Sequence, residues 1–285
     1  MMLRWRAPEK DRTELVQRIR SWWLIVSIFT LVIIMSRNVS VAFFAFVSFL
    51  ALKEYLSIVP TRRADRRVLF WAYLSIPVQY YWVAQAWYGM FIIFIPVYVF
   101  LLLPMRMVIV GETKEFLRAA GTLHWGIMTM VFGISHIAYL LVLPEANNPS
   151  AGAAGLVLFL VFLTEFNDVA QYGWGKMLGR KKIIPKVSPN KTWEGFLGGM
   201  VTTTLLAVLL AEWLTPMTWM VAIAAGLLIS NAGFIGDVTI SALKRDIGLK
   251  DSGSMLPGHG GILDRIDSLT YTAPLFFHFI YYLYY

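Results

Sequence analysis

Most of the side chains in this 285-residue chain that could do chemistry fall in two polar stretches, residues 173–195 and 237–267. The second reads Gly236-Asp237, then Ser241, Lys244-Arg245, Lys250-Asp251, Pro257-Gly258-His259-Gly260-Gly261, Asp264-Arg265 and Asp267. If Asp237 lies on a helix, then Ser241, Lys244 and Arg245 share its face at i+4, i+7 and i+8. Asp264 and Asp267 are one helical turn apart at the start of the next apolar segment, where a helix dipole favours carboxylates. Three carboxylates among Lys, Arg, His and glycines suit a site for Mg²⁺ and phosphate, because Mg²⁺ is held by one or two carboxylates together with substrate phosphates. The same acids also fit a seam of ion pairs, for example Asp264 or Asp267 with Arg245 or Arg265. Consecutive glycines beside His259 imply a close approach of backbone to some other group. His259 is the one histidine in a polar stretch, able to bind phosphate or donate a proton, or simply to be hydrogen-bonded.

The first stretch ends in Ser188-Pro-Asn190-Lys191-Thr192-Trp-Glu194-Gly195. It reads as a turn entering a helix, where N–H groups and hydroxyls can hold a phosphate. A basic loop ending in a cap at Thr192 or Ser188 explains it equally well. No phosphate-binding glycine loop of the Walker type occurs. Asp168, beside Glu165 and Asn167, is the acid nearest this stretch. Glu54 is read only as marking a membrane interface, and His124, His136 and His278 as packing or interfacial residues.

These residues must be positioned by apolar segments. Nine stretches are candidate spans: 21–36, 39–58, 68–84, 88–104, 120–143, 151–172, 196–214, 218–236 and 268–285. Spans of about 20 apolar residues match a hydrocarbon core of roughly 30 Å. Helices satisfy their own backbone in lipid, and continuous runs such as 91–103 lack the alternation of a β-barrel. With nine spans, every one of the 25 Lys and Arg residues except Arg37 falls on one side. The positive-inside rule makes that side the cytoplasm. The expectation is an all-α, multi-pass protein of the inner membrane, with a cytoplasmic N-terminus, an outside C-terminus and its active site facing the cytoplasm. Residues 1–150 would form five spans, and 151–285 a catalytic unit of four spans with the two polar loops. The first two spans are short, and the alternative to two separate spans is one broken hairpin. The first has a basic leader and no small-x-small cleavage site, so it reads as retained.

Composition agrees. The chain is 58% hydrophobic and 15% charged, with mean hydropathy +0.63. A soluble domain carries about 25% charge, so a soluble enzyme and a disordered chain are both excluded. Cysteine is absent, which removes disulfides, Cys-bound metals and thiol nucleophiles. The net charge of +8 fits basic loops facing anionic lipid and anionic substrates. The Trp and Tyr residues read as interfacial belts, and no nucleic-acid partner is expected.

The run from Ser241 to Asp267 resembles the integral-membrane phosphatidate cytidylyltransferases, also called CDP-diglyceride synthases. Pro185-Lys186-x-Ser188-Pro189-x-Lys191-Thr192-x-Glu194-Gly195 is similar to a second block of that family. Strong resemblance covers about residues 165–270; before that, only the span pattern and Glu54-Tyr55 fit. The resemblance implies that CTP and phosphatidate give CDP-diacylglycerol and pyrophosphate with Mg²⁺, which would be bound by Asp237 and Asp264. A monovalent cation such as K⁺ as second ion, and a homodimer, are also implied. Asp237, Lys244, His259, Asp264 and Asp267 would be catalytic. Ser188, Asn190, Lys191, Thr192, Glu194, Ser241, Arg245, Lys250, Asp251, Gly260, Gly261, Arg265 and Asp168 would contact substrate. Around Asp168 the family usually has a small or hydroxyl residue and then Ala-Tyr, and here the chain reads Asp168-Val-Ala-Gln171-Tyr172. That departure points to a paralogue with a different lipid pocket. Alternatives are CTP chemistry on a polyprenyl or ether-linked lipid phosphate, a lipid kinase, a scaffold without activity, or an ion-coupled transporter. A transporter would more often place acids at mid-span and repeat its halves.

Overall fold

The computed structural model describes residues 9–250, 252–253 and 260–285. Helices dominate, and an isolated β-bridge joins Lys182 and Thr192. The helices are α1 (Glu9–Ile34), α2 (Arg37–Ile58), α3 (Arg66–Ala84), α4 (Tyr88–Val110), α5 (Phe116–Leu140), α6 (Gly152–Leu178), α7 (Trp193–Leu214), α8 (Trp219–Asp246), the single turn α9 (Leu263–Ile266) and α10 (Leu269–Tyr284).

Each of the nine expected segments falls on one of these helices. Six of them, α2 and α4 to α8, are long and apolar enough to cross a membrane. Length and composition thus support six of the nine expected spans among the described residues. The apolar part of α1, Arg20–Ile34, is short, α10 has 16 residues, and α3 begins on Arg66-Arg67 and has Pro77 inside it. Helices α1 and α2 are separate, broken at Met35-Ser36. Both polar stretches are shorter than expected. Helix α6 runs on to Leu178 and α8 to Asp246, so Ser241, Lys244 and Arg245 are helical.

Two packing styles build the core. In α7 the buried residues are Gly195, Gly199, Thr203, Ala207 and Ala211, one every four positions. Small residues at that spacing form one stripe and let helix backbones approach closely in lipid, where no hydrophobic force drives helices together. The opposite stripe of α7, Leu197, Val201, Leu205, Leu209 and Trp213, is exposed, as a lipid-facing surface would be. A buried polar layer joins the neighbours. The Asn167 Oδ1 accepts from the Thr203 hydroxyl at 3.1 Å and the Ser230 hydroxyl at 2.8 Å, and Thr164 donates to Thr272 at 3.1 Å. Thus α6, α7, α8 and α10 are held at fixed depth by hydrogen bonds that have no competing water. In α2 to α5 the core is instead made of large side chains, among them Tyr55, Phe91, Ile95, Leu103, Met107, Ile127, Met130 and Ile134.

Candidate active site

The polar side chains gather at the end of the bundle where α2, α6 and α8 meet the start of α9 and α10. They form two nodes, each centred on a lysine.

The first node is Lys191. Its Nζ lies 2.5 Å from Asp237 Oδ2 and 3.8 Å from Asp168 Oδ1, and it donates to Gln171 Oε1 at 3.2 Å. Thr192 brings Lys191 here: its hydroxyl accepts from the Gly195 N–H at 3.1 Å and caps α7, one of the two caps anticipated. Asp168 Oδ2 accepts from the Ser268 hydroxyl at 2.7 Å, and Ser241 donates to Asp237 at 3.3 Å. Asp267 lies between α9 and α10, its Oδ1 accepting from the Ser268 N–H at 2.7 Å. Gly236 makes this possible. A Cβ there would come within 2.6 Å of the Asp267 carbonyl oxygen, so only glycine lets α8 press against this turn.

Charge is unbalanced at the first node. Burial pulls the Lys191 ammonium down, but Asp237, Asp168 and Asp267 outweigh it and hold it above the usual lysine range. Burial, then Asp237 and Asp168, push the Asp267 carboxyl well above the usual carboxylate range. The Asp168 Oδ1 is buried and receives no hydrogen bond. A buried acceptor without a donor is costly and suits a cation or a substrate donor.

The second node is Lys244. Its Nζ donates to Asp264 Oδ1 at 2.7 Å. Asp264 Oδ2 accepts the N–H groups of Ser252 at 3.0 Å and Gly261 at 3.1 Å. Burial raises the Asp264 carboxyl, yet Lys244 and these two amides outweigh it and hold it below the usual range. Beside it, the buried Glu54 carboxylate accepts from the Ser252 hydroxyl, from the Ile262 N–H at 2.8 Å and from the Leu263 N–H at 3.2 Å. A Cβ at Gly261 would collide with Glu54 and sit 2.6 Å from the Ser252 hydroxyl. The glycine run thus approaches the protein's own carboxylates.

Several expectations change here. The acid of the anticipated seam is Asp264, but its partner is Lys244, not an arginine. Glu54 is no interface marker; it clamps a segment some 200 residues away. Glu194 is turned back onto the Arg180 N–H at 2.9 Å and the Lys181 N–H at 3.2 Å, so it braces the loop. Arg245 donates to the carbonyls of Val187 at 3.3 Å and Leu249 at 3.1 Å, tying the two polar stretches together. Ser188 lies in that loop, its carbonyl accepting from the Lys191 N–H at 3.3 Å. Asn190, Lys250 and Arg265 are exposed. Gly260 adopts φ +79°, with Asp264 beside it. Asp251 and His259 lie outside the described residues. Sequence reasoning missed Gln171, Ser252 and Asn167; being uncharged, they stand out only by their partners.

The profile of the cytidylyltransferase family matches residues 16–283. The chain is 49% identical over 280 residues to the uncharacterized protein YnbB of Escherichia coli, covering 98% of this chain and 92% of that one. It is 39% identical over 137 residues to a phosphatidate cytidylyltransferase of Mycobacterium leprae, covering 48% and 42% of the two chains. With the phosphatidate cytidylyltransferase of Synechocystis, identity is 47% over 114 residues, covering 40% and 39%. The match to these named enzymes thus spans less than half of their length. A chain of apolar helices, matched nearly end to end and carrying its acids and lysines at one end of the bundle, belongs to the cytidylyltransferase family.

Proposed function

We propose that this protein transfers CMP from CTP to a lipid phosphate, phosphatidate first among them, giving CDP-diacylglycerol and pyrophosphate. The observation that carries the reading is the gathering of Asp168, Lys191, Asp237, Lys244, Asp264 and Asp267 at one end of apolar helices in a cytidylyltransferase-family chain. Lipid tails stay in the bilayer there while the headgroup meets a water-soluble nucleotide. The lipid phosphate oxygen is already an anion and attacks the α-phosphorus of CTP. A new P–O bond forms, the bond to the β-phosphate breaks, and pyrophosphate leaves with both electrons. No strong general base is required. The protein's task is to hold two repelling anions in line and stabilise the leaving group. Lys191, Lys244 and Arg245 supply positive charge, and Ser188, Asn190, Thr192, Ser241, Lys250, Asp251, Gly260, Gly261 and Arg265 complete the proposed contact surface. His259 is proposed as a proton donor or phosphate ligand.

The donor set fits a hard divalent cation: aspartates are abundant, and one buried Asp168 oxygen lacks a donor. Among the described residues no three acidic or imidazole groups already form a metal-holding set. Asp237 and Asp264 are the proposed Mg²⁺ ligands. Lys191 and Lys244 now occupy one oxygen of each, and would turn to phosphate when the ion binds. Bound Mg²⁺ supplies charge neutralisation on the phosphates. A monovalent second ion such as K⁺, a homodimer, and an inner-membrane placement with this end toward the cytoplasm belong to the same proposal. The last rests on the nine-span reading, in which Lys and Arg are one-sided.

A second lipid is favoured by one observation. Gln171, in the stretch around Asp168 that departs from the family pattern, accepts a hydrogen bond from Lys191. A polyprenyl or ether-linked phosphate is the second reading. The test is purified protein with labelled CTP, Mg²⁺ and a panel of lipid phosphates. A labelled lipid from phosphatidate supports the first reading, and from another member alone the second. No labelled lipid from any member, with the protein folded, overturns both.

A further inference from the structure

Away from the two lysine nodes, the α2–α3 connection, the start of α3 and the end of α4 line an open pocket of about 510 Å³. Its lining includes Arg66, Arg67 and Arg106 together with Val68, Ile109 and Val110. That volume falls within the range of small-molecule sites, about 300–1,000 Å³. The neighbouring charges are already spoken for. Arg62 grips Asp65 at 2.6 and 2.9 Å and the carbonyls of Glu112 and Lys114 at 3.1 and 2.5 Å. Glu115 faces Arg118 at 3.9 Å, and Glu112 accepts the Lys114 N–H at 2.9 Å. Among the described residues no carboxylate pairs with Arg66, Arg67 or Arg106. The Arg106 Nε is buried without a hydrogen-bond partner, and its guanidinium is held over the Trp71 ring at 5.3 Å. Three cations left uncompensated around one cavity, one of them pre-oriented by an aromatic face, call for an anion with several oxygens.

We propose that this cavity binds the phosphate of an anionic membrane lipid, at a site separate from the lysine nodes. A lipid rather than a free anion is favoured by the rest of the wall. Val68, Ile109 and Val110 are apolar, and the adjoining surface of α4 exposes Leu101, Met105, Val108 and Ile109, an outward face that acyl chains can cover. The site lies in the half of the chain that carries none of the proposed catalytic residues. The inference therefore does not depend on the CTP reading.

The test uses the full chain in phosphatidylcholine nanodiscs containing a photoactivatable phosphatidate, with the crosslinks mapped to peptides. Label is expected around Val68 and Ile109–Val110, and should persist in Asp237→Asn, which disables only the proposed catalytic node. Excess unlabelled phosphatidate should displace it, and excess inorganic phosphate should not. Arg66→Gln with Arg106→Gln should lower labelling there roughly thirtyfold, at about one kilocalorie per charge. Ile109→Trp, which fills the cavity with every charge intact, should also block it, while Arg106→Lys should retain part of it. Melting temperature in plain phosphatidylcholine reports whether each variant is folded. Equal labelling by a photoactivatable phosphatidylcholine, or labelling indifferent to both the charge-removing and the cavity-filling variants, overturns the proposal. Displacement by inorganic phosphate overturns the lipid assignment in favour of a free anion.

Discussion

The two lysine nodes are built from the same residue types and differ in their balance. At Lys244, one carboxylate meets one ammonium and two amides, and the adjacent Glu54 is fully occupied by a hydroxyl and two amides. At Lys191, three aspartates surround one ammonium, one aspartate oxygen has no donor, and Asp267 is driven toward its neutral form. A closed node is stable as it stands. A node with surplus negative charge is made for something positive or for a substrate that brings donors and metal. The contrast gives the Lys244–Glu54 node a structural task, holding the segment 252–263, beside the roles proposed for Lys244 and Asp264, and it places the surplus negative charge at the Lys191 node.

The largest effect that would break this contrast is at Asp237. Asp237→Asn should lower CDP-lipid formation about a thousandfold, as loss of a key electrostatic group does, while melting temperature stays near the parent's. Turnover close to the parent's would remove Asp237 from the reaction. Next comes Glu54→Ala, which strips three donors of their acceptor and should cost about 2 kcal/mol of stability. Hydrogen exchange at Ile262 and Leu263 should rise in step. An unchanged exchange rate would show that Glu54 does not clamp that segment.

A smaller effect separates the nodes by pH. In the folded protein Asp267 holds its proton to higher pH than in the unfolded chain, because burial, Asp237 and Asp168 raise it. Its contribution to stability is therefore present at low pH and is lost as pH rises from the usual carboxylate range to the raised folded value. With chelator present, Asp267→Asn should flatten the fall of melting temperature across that interval. Asp264 has the opposite sign. It is lowered in the folded state, so its contribution is lost as pH falls. Smallest of all is Arg37→Ala. Arg37 is exposed and makes one 3.3 Å hydrogen bond to the Ala84 carbonyl, and removing it should change stability by less than about 0.5 kcal/mol and leave turnover unchanged.

Part of this was legible in the sequence because it is periodic. Asp237, Ser241 and Lys244 fall on one face whenever α8 continues past the apolar stretch, and it does, to Asp246. The helical segments follow from apolar runs alone. The number able to cross does not, since α1, α3 and α10 differ from the others in length and flanking charge more than in character. The pairing of lysines with acids was hidden, because Lys191 and Lys244 reach partners on other helices. Glu54 was hidden most deeply, since its partners are Ile262 and Leu263 at the far end of the chain. The glycine run announced a close approach without saying to what.

The central claim is CMP transfer at this end of the bundle, and the fate of the CTP phosphates tests it most directly. Purified protein with Mg²⁺ and phosphatidate would receive CTP labelled at either the α- or the γ-phosphorus. The account predicts that α-label enters the lipid and γ-label leaves as pyrophosphate. Entry of γ-label into the lipid, the signature of a kinase, would contradict it, as would CTP left intact by folded protein across the lipid panel.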